Sequence, residues 1–200
     1  MKTFAEIAFT DNVRALQEAH GSRTAYARVE AGGFRGEGLG PQETGFLSGA
    51  DNFFLATVSE TGWPYVQHRG GPAGFVKIIS PTRIAWAEFR GNRQYVSTGN
   101  AVKNNRASLI VMDYAHRQRL KLLGRLQFKP VAEADEALGV AVQLPGYRAR
   151  VEAVAVIDVE AFDWNCPQHI TQRFTLAQIE TATRPLHDRI AQLETALKSS

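Results

Sequence analysis

Two clusters of polar side chains have the residue types and spacing to do chemistry. The first joins Gln67-His68-Arg69 to Asn92-Arg93-Gln94. It combines amides, an imidazole and two guanidinium groups, a set suited to charge-assisted recognition of an anion such as a phosphate. The second is the run WNCPQHITQR, from Trp164 to Arg173. It is dense in hydrogen-bonding groups and carries Pro167, which ends strand pairing. This run reads either as a capped loop with Arg173 solvated or as a polar wall over a planar ligand. Composition does not choose between the two.

Other chemistries find little support. The five histidines (His20, His68, His116, His169 and His187) are scattered, and neither HExxH nor a paired CxxC occurs, so no metal site is assigned. Cys166 is the single cysteine. It excludes an internal disulfide, fits a reducing compartment, and has only His169 nearby in sequence to activate it. No serine stands in a GxSxG setting. The Gly36-x-Gly38-x-Gly40 run resembles part of a dinucleotide fingerprint, but no apolar strand leads into it. The glycine-rich segment from Ala31 to Gly49 is therefore expected to be a mobile loop, with Pro41 placed where a helix would start. No catalytic residue is assigned.

The first cluster must be positioned by strands. From Trp63 to Tyr95 the chain reads as three short strands that run into a Gly91–Gln94 turn and a helix. Gly70-Gly71 breaks the alternation, which marks a bulge or a close approach by a backbone or ligand. The free N–H groups at the helix start favour an anion. NFFLATV precedes this stretch as a strand, with a turn at Ser59–Gly62. SLIVMDY, RLKLLGRLQF and RVEAVAVIDVEAFDW follow. In RLKLLGRLQF, Leu120, Leu122, Leu126 and Phe128 share one face, and Arg119, Lys121, Arg125 and Gln127 the other. Many short strands with few helices between them indicate a mainly β (α+β) antiparallel barrel or sandwich.

Helices are expected at the ends. Thr3 with Glu6 forms a capping-box pattern, and Thr10 or Asp11 caps a second helix that Gly21 stops. A further helix over Ala132–Leu144 ends at Pro145-Gly146. The C-terminal arm opens with a Thr175/Gln178 capping box. Leu176, Ile179, Thr183, Leu186, Ile190, Leu193 and Leu197 then alternate steps of three and four, a heptad seam. Pro185 is expected to kink or restart this helix. The arm either packs on its own barrel or serves dimerisation.

The 200 residues suit one domain over 1–200: helices and the glycine-rich loop in 1–50, a barrel in 51–165, and a polar loop with a C-terminal helix in 166–200. No apolar run approaches the ~18 residues of a membrane span, and Glu6 and Asp11 interrupt the N-terminal stretch. A cytoplasmic protein with no membrane partner is expected. The net charge is +3, yet Arg90–Arg125 holds eight cationic residues against Asp113 alone. Base-stacking aromatics are not interleaved with that charge, so no nucleic-acid partner is expected.

The run GWPYVQHRGGPAGFVKI, followed by FRGNRQY, ASLIVMDY, RLKLLGR and WNCPQHI, resembles the pyridoxamine 5′-phosphate oxidase-related family of FMN-binding split-barrel proteins over residues 44–174. The resemblance implies a six-stranded antiparallel split β-barrel, a homodimer, and FMN as the cofactor, one per subunit in the dimer interface. It places Gln67, His68, Arg69 and Gly70 along the flavin ring and at the start of the phosphate site. Trp86 and Ala87 continue that site, with Asn92, Arg93 and Gln94 on the phosphate. Oxidase members have Ser-Arg-Lys where this chain has Asn92-Arg93-Gln94, so Arg69 is expected to supply the missing charge. Asn165, Gln168 and His169 are implied to reach toward the flavin. Candidates for the flavin N1/C2 edge, where a cation stabilises the reduced ring, are His68, Arg125, His169 and Arg173. The WNCPQHI segment departs from the Arg-x-His and tryptophan pattern that holds pyridoxal phosphate, which argues against the vitamin B6 reaction. The function expected is an FMN-dependent oxidoreductase of unassigned small-molecule substrate. The alternative is a non-catalytic flavin- or haem-binding module.

Overall fold

The computed structural model describes residues 1–34, 36–164 and 167–199. Two compact units are distinguished: Met1–Met112 with Arg119–Cys166, and Asp113–Gln118 with Pro167–Ser200.

The first unit opens with α1 (Phe4–Ala8), α2 (Asp11–Ala19) and α3 (Arg23–Ala31). The capping box at α1 forms as its sequence requires: the Glu6 amide donates to Thr3 Oγ1 at 3.1 Å, and the Thr3 amide donates to Glu6 Oε2 at 2.5 Å. Glu30 of α3 accepts from Arg14 at 3.3 Å and also from Arg23, clamping α2 to α3. The glycine-rich segment is not loop throughout, because Pro41 starts α4 (Pro41–Gly49). Leu47 of that helix is fully buried, and Glu43 accepts from the Trp164 indole at 2.7 Å. Gly38 shows why the segment needs glycine. Its φ is +155°, and a Cβ there would lie 2.2 Å from the Pro81 carbonyl, the group that accepts from the Leu39 amide. Gly38 thus serves close packing against Pro81.

Strands β1 (Asn52–Val58), β2 (Pro64–Gly70), β3 (Lys77–Ser80) and β4 (Arg83–Phe89) follow. After α5 (Val96–Lys103) come β5 (Arg106–Asp113), β6 (Gln118–Pro130), the short α6 (Glu136–Ala141) and β7 (Val151–Trp164). They form one seven-stranded sheet in the order β2-β1-β5-β6-β7-β4-β3, antiparallel in the pairings whose register is described. The expectation of a six-stranded split barrel is overturned on both counts. There are seven strands, and the sheet is not closed, because β2 and β3 stand at its two ends. The Gly71–Val76 connection between them is used for packing. Pro72 has no N–H to give a ladder, and Phe75 and Val76 turn into the core. The Phe75 ring stacks on Phe53 at 5.6 Å between centroids.

The core explains which strands alternate and which do not. β1 alternates buried and half-buried residues, with Phe53 and Leu55 inward. β4 does not alternate, since Ile84 and Trp86 join the main core while Ala85 and Ala87 face a second cluster with Val142, Val154 and Val156. A strand buried on both faces loses the period-2 signal.

In the second unit the Gln172 amide donates to the Ala115 carbonyl at 2.6 Å, and the Arg173 guanidinium lies 5.0 Å from the Tyr114 ring centre. Helix α7 (Leu176–Lys198) begins at the expected capping box, with the Gln178 amide donating to Thr175 Oγ1 at 3.2 Å. It runs through Pro185 as one helix rather than restarting there. Among the described residues, no helix is long and apolar enough to cross a membrane.

Candidate functional site

One cavity of about 860 Å³ collects much of the first polar cluster. Its walls are β2, β4, the loop and first turn leading into α5, the end of β6 and the start of β7. Gln67, His68, Arg69 and Gly70 line it from β2, Trp86 and Ala87 from β4, and Asn92 and Arg93 from the loop.

Each side chain is held by a specific contact. Gln67 Oε1 accepts from the Ser97 hydroxyl at 3.0 Å, which ties β2 to α5 and leaves the amide N–H groups of Gln67 free. Asn100 donates to the Thr57 hydroxyl at 3.0 Å and fixes the same helix to β1 from a buried position. The His68 ring meets Phe54, its cross-strand neighbour, edge-on at 5.7 Å. Arg69 forms an ion pair with Glu88, with Nε 2.9 Å and 3.0 Å from the two carboxylate oxygens. Trp86 Nε1 donates to the same carboxylate at 3.2 Å. Burial pushes the Glu88 carboxyl above its ordinary value, opposed by the charge of Arg69 and the two hydrogen bonds.

A Cβ on Gly71 would lie 2.8 Å from Phe75 Cβ, and one on Gly70 would lie 2.9 Å from His68 Cε1. The Asp51 carbonyl also comes close, 3.3 Å from a Cβ on Gly70, and accepts from the Gly71 amide at 2.9 Å.

The segment before α5 is tightly shaped. Arg93 and Tyr95 both adopt left-handed backbone, with φ of 59° and 54°, a conformation uncommon for such residues and concentrated at binding sites. The helix starts at Val96. Its first ring-closing bond runs from the Gly99 amide to the Tyr95 carbonyl, and Tyr95 caps nothing with its side chain. The amides of Val96, Ser97 and Thr98 thus have no partner within the helix, and these three residues line the cavity. Arg93 Nε donates to the Tyr95 hydroxyl at 3.2 Å, and that hydroxyl donates to Glu152 at 3.4 Å. The Tyr95 hydrogen bond raises the Arg93 pKa further above its ordinary value, helped by the Glu152 charge. Among the described residues Arg93 makes no ion pair, whereas Arg69 is engaged by Glu88. An anion entering the cavity meets Arg93 and Arg150 as lining cations that make no ion pair among the described residues.

Gln94 stays outside the lining, and its amide donates to Asn92 Oδ1 at 3.2 Å. Arg125 also stays outside, donating to Glu160 at 2.7 Å and to Asn105 at 3.2 Å. Gln168 and His169 are exposed members of the second unit. Asn165 lies outside the described residues. Sequence reasoning missed Glu88, Glu152 and Tyr95. For Glu88 a signal existed: it is the single carboxylate inside the otherwise apolar run IAWAEF.

A family model described as pyridoxamine 5′-phosphate oxidase matches residues 39–164. No curated protein matches the chain. Among solved structures, HupZ of Group A Streptococcus is 14% identical with a TM-score of 0.51, over 68% of this chain and 99% of that one. A Clostridium acetobutylicum protein related to general stress protein 26 of B. subtilis, of the pyridoxinephosphate oxidase family, is 14% identical (TM-score 0.45; 69% and 94% covered). HutZ, the heme storage protein from Vibrio cholerae, is 15% identical (TM-score 0.40; 64% and 94% covered).

Proposed function

The chain belongs to the pyridoxamine 5′-phosphate oxidase family, and from that premise we propose that the cavity binds FMN and that the protein is an oxidoreductase acting on a small molecule. The observation that carries this reading is Arg93, an unpaired guanidinium beside three helix-start residues whose amides have no helical partner. A phosphate monoester would find there a charge-assisted donor together with neutral N–H donors. The volume falls within the range that encloses ligands of this size. Phe89 and Phe128 add apolar wall, and the free amide of Gln67 offers donors to a polar ring edge.

FMN, when bound, supplies hydride or single-electron transfer. The chain's own residues hold and orient. Arg93 and the Val96–Thr98 amides take the phosphate. Ser97 keeps Gln67 in place. Glu88 neutralises Arg69 and restrains it against the wall, so Arg69 is the second anion contact only if that pair opens. The reading extends to a homodimer with FMN at the interface. Trp63 and Val66, 76% and 60% exposed, give the start and middle of β2 an apolar surface that a second copy would cover. The same site without turnover would make the protein a flavin-binding module.

The test is an absorption spectrum of the purified protein after addition of FMN and gel filtration. Flavin bands retained by the wild type and lost in Arg93→Ala support the reading. Bleaching by NADH or NADPH supports the oxidoreductase over the module. A protein that retains no FMN overturns both.

A further inference from the structure

We propose that α7 is a self-association element: two copies of the chain join through a parallel, in-register coiled coil of their C-terminal helices. This association does not depend on flavin binding. The seam residues Leu176, Ile179, Leu186, Ile190 and Leu193 are between 46% and 79% exposed, and no residue of the 23-residue helix is buried. Their three-and-four spacing is that of a coiled-coil seam, narrower than the apolar stripe with which a helix usually covers a sheet.

The chemistry around the seam selects a second copy as the occupant. With Leu176, Thr183 and Ile190 at the a positions and Ile179, Leu186 and Leu193 at d, Arg189 falls at g and Glu194 at e. In a parallel coil each g residue faces the partner helix's e residue five positions on. Arg189 thereby meets Glu194 of the partner subunit, and the two-fold symmetry makes the contact twice. Among the described residues Arg189 makes no ion pair, and it donates to the Gln192 amide oxygen at 3.3 Å. The one polar seam residue is prepared for burial. Thr183 Oγ1 already donates to the Ile179 carbonyl at 2.9 Å, so its hydroxyl needs no partner across the seam. Pro185 falls at c, away from the seam.

The experiment uses the full chain with Cys166→Ser, so that an introduced cysteine is the only one. Leu176→Cys is oxidised mildly and analysed on non-reducing gels. A parallel in-register coil sets the two sulfurs side by side, whereas an antiparallel coil separates them by about 30 Å. The expected result is a disulfide dimer whose yield falls at least tenfold with Ile190→Glu, which puts a charge into the apolar seam. Arg189→Glu should lower the yield, and Arg189→Glu with Glu194→Arg should restore it. A cross-link indifferent to Ile190→Glu and to the charge swap would overturn the proposal. So would absence of a cross-link, whether because α7 is antiparallel or because it packs on its own chain. Retention of FMN by the same variants reports separately on the cavity.

Discussion

Arg69 and Glu88 pair at 2.9 Å although four strands stand between theirs in the order of the sheet. The sheet's ladder is open, yet β2 and β4 are joined by this ion pair, and β1 is joined to β4 by the Phe53–Trp86 ring contact at 5.0 Å. Side chains do what hydrogen-bonded pairing does not, and the cavity lies where they meet. Both partners of the pair are mostly shielded, with side-chain exposures of 12% and 19%.

Removing Glu88 should therefore unsettle the fold as well as the site. Glu88→Ala leaves the Arg69 charge shielded and unpaired, an expected loss of about 2–3 kcal/mol near neutral pH. Glu88→Gln, which keeps an acceptor, should lose less. Urea titration of both variants against the wild type checks this.

The same carboxylate gives stability a pH dependence of definite sign. Its folded pKa is raised above the ordinary 4.5, so the pH-dependent part of its contribution is complete below that value and is lost as pH rises through the folded pKa. Glu6 has the opposite sign. Hydrogen bonds from the Thr3 amide and hydroxyl lower its pKa, so the α1 cap is present above 4.5 and lost as pH falls through the folded value. Glu88→Gln should remove the first dependence and Glu6→Gln the second, read from unfolding midpoints across the acid range.

Arg93→Ala should separate binding from stability. Among the described residues its guanidinium makes no ion pair and donates to the exposed Tyr95 hydroxyl, so the unfolding midpoint should move little. A lost charge-assisted bond to phosphate should weaken FMN affinity roughly 10- to 100-fold. Quenching of flavin fluorescence on titration measures this, and added salt should weaken the wild type in the same direction.

Gly38→Ala should be among the costliest single-methyl changes in the chain. The added carbon would meet the Pro81 carbonyl, a backbone atom that cannot rotate aside. A loss of about 2 kcal/mol or more is expected, measured by thermal unfolding. Glu43→Ala should cost about as much, because it strands the Trp164 indole and the Gly40 amide together.

The sequence made the strands legible wherever one face met the core, as in Phe53 and Leu55 of β1 or Leu120 and Leu122 of β6. It also showed which polar residues would share a site, since Gln67–Gly70 and Asn92–Arg93 each keep together along the chain. Closure of the sheet was not legible, because it depends on whether β2 and β3 pair and nothing local to Gly71–Val76 states that. Helix α4 was masked by the glycines around it, of which Gly38 has its reason at Pro81, some forty residues away. Glu88 was overlooked because its partner Arg69 is distant in sequence, and the pairing becomes visible only once β2 and β4 are side by side.

An open ladder also has two free edges, and an edge is a template on which another chain can add a strand and begin to aggregate. Both edges here are blunted. β3 is four residues long, and its register slips between Ile78 and Ser80. β2 is bracketed by Pro64 and Pro72, neither of which can donate to an incoming strand. The protein can thus leave its sheet unclosed, with a ligand-sized opening beside β2, without offering a long flat margin for fibril growth.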